Sequence, residues 1–142
     1  MPKRILIVDD NDLLRNLLAQ CLEYAGYTPI GAESGEAALK IIAEDPPDLC
    51  VVDQVMPGMT GAELIRAMRA SQDERLRGLP AIGLSGWEDG EEALLEAGAV
   101  RALRKPCGVE PLLEQVRELA AQGLRPSTGP GRTGGTPWRS AP

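Results

Sequence analysis

Carboxylates occur at two separated places in this chain, each at the end of a short apolar run. Asp9 and Asp10 follow Arg-Ile-Leu-Ile-Val, and Asp53 follows Leu-Cys-Val-Val. If both runs are strands of one sheet, the three side chains meet at one edge, where like charges repel unless a hard cation lies between them. Mg²⁺ held by one or two carboxylates, water and a substrate phosphate oxygen is the usual solution. The three acids therefore predict a magnesium site.

A hydroxyl and an ammonium group follow two further apolar runs. Ser85 ends the fourth run, and Lys105 comes just after the fifth. A phosphoryl group on Asp53 would place anionic oxygens within reach of both side chains. Acids after strands also occur as solvated loop residues or helix caps, and Asn11 or Asp12 would cap a helix without any metal. The acid pair together with Asp53 favours the metal site over that alternative.

The order of apolar segments predicts the elements that position these residues. Expected strands are Arg4–Val8, Tyr27–Gly31, Leu49–Val52, Ala81–Leu84 and Ala102–Arg104. Helical spacing is seen in five segments. The first runs from Leu13 to Leu22 and ends at Gly26, the second follows Ser34, and the third follows the capping box of Thr60 and Glu63. The fourth is Glu91–Ala97, and the fifth carries Leu112, Leu113, Val116 and Leu119. Five strands alternating with five helices predict an α/β fold with a mostly parallel sheet covered on both faces. The carboxyl ends of its strands, and the site, then share one edge.

Composition predicts one domain over residues 1–122 and a disordered tail over residues 123–142, which is rich in Gly, Pro, Ser and Thr. Residues 1–124 carry 12 basic and 21 acidic residues, a net charge of −9, because three of the 15 basic residues lie in the tail. A surface this acidic disfavours binding to nucleic acid, whose phosphate backbone is also negatively charged. No apolar run is long enough for a membrane span, and no signal peptide is recognisable, so we expect a cytoplasmic protein without membrane contact.

The three cysteines are far apart, and the chain has no histidine. Cys21, Cys50 and Cys107 therefore support neither a disulfide framework nor a zinc site. The lack of histidine also removes the commonest general acid–base group, and no phosphate-binding Gly-Lys-Ser/Thr loop is present. Val55 stands where an aspartyl phosphatase carries its second acid. An enzyme is thus disfavoured.

Four short motifs resemble, in order and spacing, the receiver domain of two-component response regulators. They are Val8-Asp9-Asp10-Asn11, Val52-Asp53 leading into Met56-Pro57-Gly58-Met59-Thr60-Gly61, Leu84-Ser85-Gly86, and Lys105-Pro106. The resemblance covers about residues 4–122 and suggests a single-domain regulator similar to those of chemotaxis. It implies a flavodoxin-like, doubly wound (βα)5 fold with strand order 2-1-3-4-5.

The resemblance also implies roles for individual residues. Asp53 would accept a phosphoryl group from the phosphohistidine of a sensor histidine kinase or a histidine phosphotransfer protein. Asp10 and Asp53 would bind Mg²⁺ directly, Asp9 through water, and Val55 through its backbone carbonyl. Ser85 and Lys105 would bind the phosphoryl oxygens. The resulting switch would signal to a downstream protein through the face of the fourth helix, fifth strand and fifth helix.

Two positions leave alternatives open. Receivers usually carry Tyr or Phe three residues before the lysine, where this chain has Ala102, so the usual aromatic relay is missing. That absence favours a second hypothesis, a phosphorylation-independent adaptor of receiver-like fold. Trp87 either borders the mouth of the site or is a partly exposed aromatic residue at a helix start.

Overall fold

The structure is a computed structural model that describes residues 2–86, 88–105 and 108–122. Its strands are β1 Arg4–Val8, β2 Thr28–Ala32, β3 Leu49–Asp53, β4 Ala81–Ser85 and β5 Arg101–Arg104. Its helices are α1 Asp12–Tyr24, α2 Gly35–Glu44, α3 Gly61–Arg69, α4 Glu74–Arg77, α5 Glu88–Ala97 and α6 Val109–Ala121. The strands within these ranges form one parallel sheet in the order β2-β1-β3-β4-β5, which confirms the predicted topology.

Alternate strand residues face two separate cores, as expected for a sheet covered on both sides. On one face, Leu6, Cys50 and Val52 pack with buried residues of α2, α3 and α5, such as Leu94. On the other face, strand residues that include Ile7 pack with buried residues of α1 and α6. Because the inner strands β1, β3 and β4 are buried on both faces, they are apolar between their first and last residues, and chemistry is confined to the sheet edge.

Side-chain caps set the starts of α1, α2 and α3. Asn11, one of the two candidates, caps α1 by accepting a hydrogen bond from the backbone of Leu14 at 3.1 Å. Ser34 caps α2 in the same way. The predicted capping box is present, since Thr60 Oγ1 accepts from Glu63 N at 3.1 Å and Glu63 Oε1 accepts from Thr60 N at 2.9 Å. Local chemistry therefore starts α3 just beyond the loop that follows β3.

The number of helices and the start of one of them differ from expectation. The described ranges contain six helices because one additional turn, α4, lies between α3 and β4. This turn is capped by Asp73 and buries Leu76, and it is too short to produce a helical pattern in the sequence. Helix α5 begins at Glu88 rather than Glu91, since its first turn contains no apolar residue in the helical pattern.

Strand limits were wrong by one residue at several ends. Strand β2 is shifted by one residue, β3 and β4 extend to include Asp53 and Ser85, and β5 begins at Arg101. Each extension adds a polar or charged residue that pairs laterally within the sheet, with Asp53 opposite Leu84 and Ser85 opposite Arg104. Apolar patterning stops at the last apolar residue, whereas backbone pairing continues beyond it.

Candidate functional site

The three acids meet at the carboxyl edge of the sheet. Oxygen atoms from Asp9, Asp10 and Asp53 all lie within 4.8 Å of one another. Asp9 and Asp53 are buried, with 2% and 5% of their surface exposed, while Asp10 is open to solvent. Parallel strands bring this about, because β1 and β3 are adjacent in the sheet and end at the same edge.

One carboxylate oxygen in this cluster lacks a partner. Asp9 Oδ1 accepts a hydrogen bond from Asn11 N at 2.9 Å, but the buried Oδ2 has none among the described residues. An unpaired buried carboxylate oxygen is costly, and a hard cation is the partner that an all-oxygen site of this charge fits. The residues present therefore fit a Mg²⁺ ion.

Lys105 lies directly against Asp53. Its Nζ donates to Asp53 Oδ1 at 2.8 Å, and its backbone N donates to the carbonyl of Ser85 at 2.6 Å. The side chain of Lys105 is about a third exposed, so the ammonium group reaches the site from the solvent side. Lys105, which follows β5, thus contacts the ends of both β3 and β4.

Competing effects act on the Asp53 carboxyl group. Burial raises its pKa above the ordinary value, and the negative charges of Asp9 and Asp10 act in the same direction. The hydrogen bond and the positive charge of Lys105 lower the pKa, without cancelling the effect of burial. A cation beside the acids would favour the ionised form, which is the form that can act as a nucleophile.

Ser85 and Val55 occupy different environments. Ser85 is 1% exposed at the end of β4, one strand away from Asp53. Val55 follows β3 in the loop and is 52% exposed. The metal role of the Val55 carbonyl stays a prediction. Trp87, Pro106, Cys107 and the tail over residues 123–142 lie outside the described residues, so the expectations about Trp87 and the tail stay untested.

The start of α3 docks onto the backbone that carries Asp53. Gly61 N donates to the carbonyl of Gln54 at 3.0 Å, and Ala62 N donates to Gln54 Oε1 at 2.8 Å. A Cβ atom on Gly61 would lie 2.5 Å from the carbonyl oxygen of Asp53. Gly61 belongs to the motif that resembles the receiver family, and the structure gives the physical reason for glycine there: a side chain would prevent this close approach to Asp53.

Sequence reasoning missed Arg15 and Gln54. Arg15 Nη1 donates to the carbonyl of Asp9 at 2.7 Å, while Nη2 pairs with Asp12 at 2.5 Å, so this guanidinium group braces the acidic loop. The i,i+3 spacing of Asp12 and Arg15 is a signal for that ion pair, but nothing in the sequence indicates the contact with Asp9. Gln54 was missed because no local pattern predicts its bond to α3.

Comparison with known proteins identifies the family. The model of the response regulator receiver domain matches residues 5–117. This chain belongs to that family. It is 39% identical to the response regulator MprA of Mycolicibacterium vanbaalenii over 121 residues, which cover 84% of this chain and 51% of that protein. The chain therefore spans about half the length of the curated relatives it matches.

Solved receiver structures share the fold over almost their whole length. A response regulator receiver protein from Pseudomonas putida has a TM-score of 0.74 at 33% identity, covering 83% of this chain and 98% of that one. The chemotaxis response regulator CheY4 of Vibrio cholerae has a TM-score of 0.77 at 27% identity, covering 84% and 99%. The flavodoxin-like fold and the receiver assignment are thus confirmed. In the described part of the chain, no helix is long and apolar enough to cross a membrane.

Proposed function

We propose that this receiver accepts a phosphoryl group on Asp53 from the phosphohistidine of a sensor histidine kinase or histidine phosphotransfer protein, in a Mg²⁺-dependent reaction. The observation that carries the proposal is the constellation around Asp53: a buried carboxylate, two further acids within 4.8 Å and a lysine ammonium group at 2.8 Å. We infer a cytoplasmic location, since two-component phosphotransfer takes place there.

In the proposed reaction an Asp53 oxygen attacks phosphorus, the bond from phosphorus to the histidine nitrogen breaks, and that nitrogen keeps the electron pair. The product is an acyl phosphate, which water later cleaves to restore the carboxylate. Positioning and charge neutralisation dominate such a transfer. Lys105 would move its hydrogen bond from Asp53 to a phosphoryl oxygen, and Ser85 would donate to another.

Asp9, Asp10 and Asp53, with the Val55 carbonyl, are the residues we assign to the metal. Asp10 and Asp53 would bind it directly, and Asp9 through water. Bound Mg²⁺ would neutralise negative charge on the acids and on the incoming phosphoryl group. The unpaired Oδ2 of Asp9 supports this assignment, because a buried carboxylate oxygen needs such a partner.

The test is phosphorylation by acetyl phosphate with Mg²⁺, followed by intact mass and by peptide mapping of the acyl phosphate. We expect one phosphoryl group on Asp53, none on Asp53→Asn, and none in wild-type protein treated with EDTA. Label on another residue, or equal label on the Asp53→Asn protein, would contradict the proposal. Phosphotransfer from candidate histidine kinases would then identify the donor.

A phosphorylation-independent adaptor is the second candidate, and Ala102 is the observation that favours it. In the sheet Ala102 lies opposite Gly83, so no bulky side chain stands at this position on either strand. Either function would use the surface of α5, β5 and α6, the expected fourth helix, fifth strand and fifth helix, for a protein partner. An adaptor would take no label on Asp53 and would bind its partner equally well with and without acetyl phosphate.

A further inference from the structure

Gly90, in the first turn of α5, lies directly against Ser85. A Cβ atom built on Gly90 would overlap Ser85 Oγ, approach Ser85 Cβ to 2.8 Å and come within 3.6 Å of Gln54 Cγ. Gly90 is buried and has an ordinary helical backbone, in which alanine is favoured over glycine. The reason for glycine at this position is therefore space rather than backbone conformation.

Ser85 has little freedom to move away from an added methyl group. The residue is 1% exposed and is paired in the sheet with Arg104, and its backbone carbonyl accepts a hydrogen bond from Lys105 N at 2.6 Å. Rotation of the side chain could remove Oγ from the overlap, but Cβ is fixed to the strand. A side chain at position 90 must therefore displace the hydroxyl, the helix or both.

A second glycine brings the same helix close to the same strand. A Cβ atom on Gly83 in β4 would lie 2.6 Å from Leu94 Cδ1 of α5. Helix α5 is thus seated on β4 at two places, with Gly90 above Ser85 and Leu94 above Gly83. The helix cannot lift from one contact without disturbing the other, so Ser85 and α5 are mechanically linked.

We propose that Gly90 is a positioning residue for the Ser85 hydroxyl group: its missing side chain lets α5 close over Ser85 and hold that hydroxyl at the phosphoryl-binding edge. The role rests on the proposed function, because Ser85 is assigned there as a ligand of the phosphoryl group. The contact also offers a route from the site to α5 that needs no aromatic side chain at Ala102.

The test is a double-mutant cycle of Gly90→Ala and Ser85→Gly, with Gly86→Ala as the matched control because a Cβ atom there meets nothing within 4 Å. Phosphorylation by acetyl phosphate and Mg²⁺ is followed by intact mass, and folding by thermal melting. Loss of one hydrogen bond to a charged group slows a reaction roughly tenfold or more. We expect that loss in Gly90→Ala and in Ser85→Gly, no further loss in the double variant, and no loss in Gly86→Ala.

Melting separates positioning from general damage to the fold. Gly90→Ala should lower the melting temperature of the wild-type protein but leave it unchanged or raise it in the Ser85→Gly background, where the overlapping atoms are gone. Wild-type rates in Gly90→Ala, or losses that multiply in the double variant, would overturn the inference and leave the proposed function intact. A wild-type protein that takes no phosphoryl group would overturn the proposed function and this role with it.

Discussion

Removing one charge from the acidic cluster should stabilise the metal-free protein. One oxygen from each of the three carboxylates lies within 4.8 Å of the others. Two unit charges at that limiting distance repel by about 3.5 kcal/mol at an effective dielectric constant of about 20 and by about 0.9 kcal/mol in water. Asp9→Asn removes the Asp9 charge and converts the unpaired Oδ2 into an amide donor facing acids. We expect a gain of about 1–3 kcal/mol in the free energy of unfolding in EDTA.

Mg²⁺ should reduce that difference in stability. A ligand at about a hundredfold excess over its Kd stabilises the folded state by about 2.7 kcal/mol. The wild-type protein should gain that amount, whereas Asp9→Asn, with a weakened site, should gain less. The assay is urea unfolding followed by circular dichroism, with EDTA or with Mg²⁺.

A neighbouring acid serves as the control. Asp12 is exposed, pairs with Arg15 at 2.5 Å and lies in the first turn of α1, where a negative charge is favourable. Asp12→Asn should therefore leave stability unchanged or lower it by less than about 1 kcal/mol. If Asp9→Asn unfolds more easily than wild type in EDTA, or gains as much from Mg²⁺, then charge repulsion and metal binding do not dominate this cluster.

Three further predictions concern individual residues. Asp53→Asn should be more stable than wild type in EDTA at neutral pH. The difference in stability should shrink as pH falls through the raised pKa of Asp53, because the folded wild-type protein binds the proton more readily than the unfolded chain does. Thermal melting across pH checks this, and a difference that widens in acid would contradict it. Gly61→Ala should destabilise the protein by about 2–3 kcal/mol, since overpacking and the loss of the two hydrogen bonds to Gln54 outweigh the gain in helix propensity. Urea unfolding measures this, with Gly86→Ala as a control that should lie within about 0.5 kcal/mol of wild type. Equal midpoints for the two variants would count against the close approach to Asp53. Burial raises the pKa of the Cys50 thiol to about 12. Iodoacetamide at mildly alkaline pH should therefore label Cys21 in the native protein, and Cys50 only after denaturation. Peptide mass spectra measure the labelling, and equal labelling of Cys21 and Cys50 in the native protein would be inconsistent with a buried Cys50 thiol.

Local sequence determined the elements whose signals are short-range. Continuous apolar runs are sufficient for strands buried on both faces, which explains the prediction of β1, β3 and β4. The edge strands β2 and β5 are partly exposed, and their place in the alternation of strands and helices indicated them. Thr60 and Glu63 form their capping box with partners three residues apart, and the sequence therefore predicted the start of α3 correctly. The additional turn α4 and the polar strand ends were missed, because one turn leaves no periodicity and because lateral pairing depends on a neighbouring strand.

The acids and the lysine were chosen because residue type and position after a strand suffice to bring such groups to one sheet edge. What the sequence determined about this protein is therefore the fold, the family and which charges meet at the site. Tertiary structure alone decided what holds them in place: Arg15 on the carbonyl of Asp9, Gln54 on the start of α3, and Gly90 against Ser85. The physical reason is packing geometry. The partners are close in sequence, but each contact joins the end of a strand to the helix that follows it, and so depends on how that helix packs on the sheet.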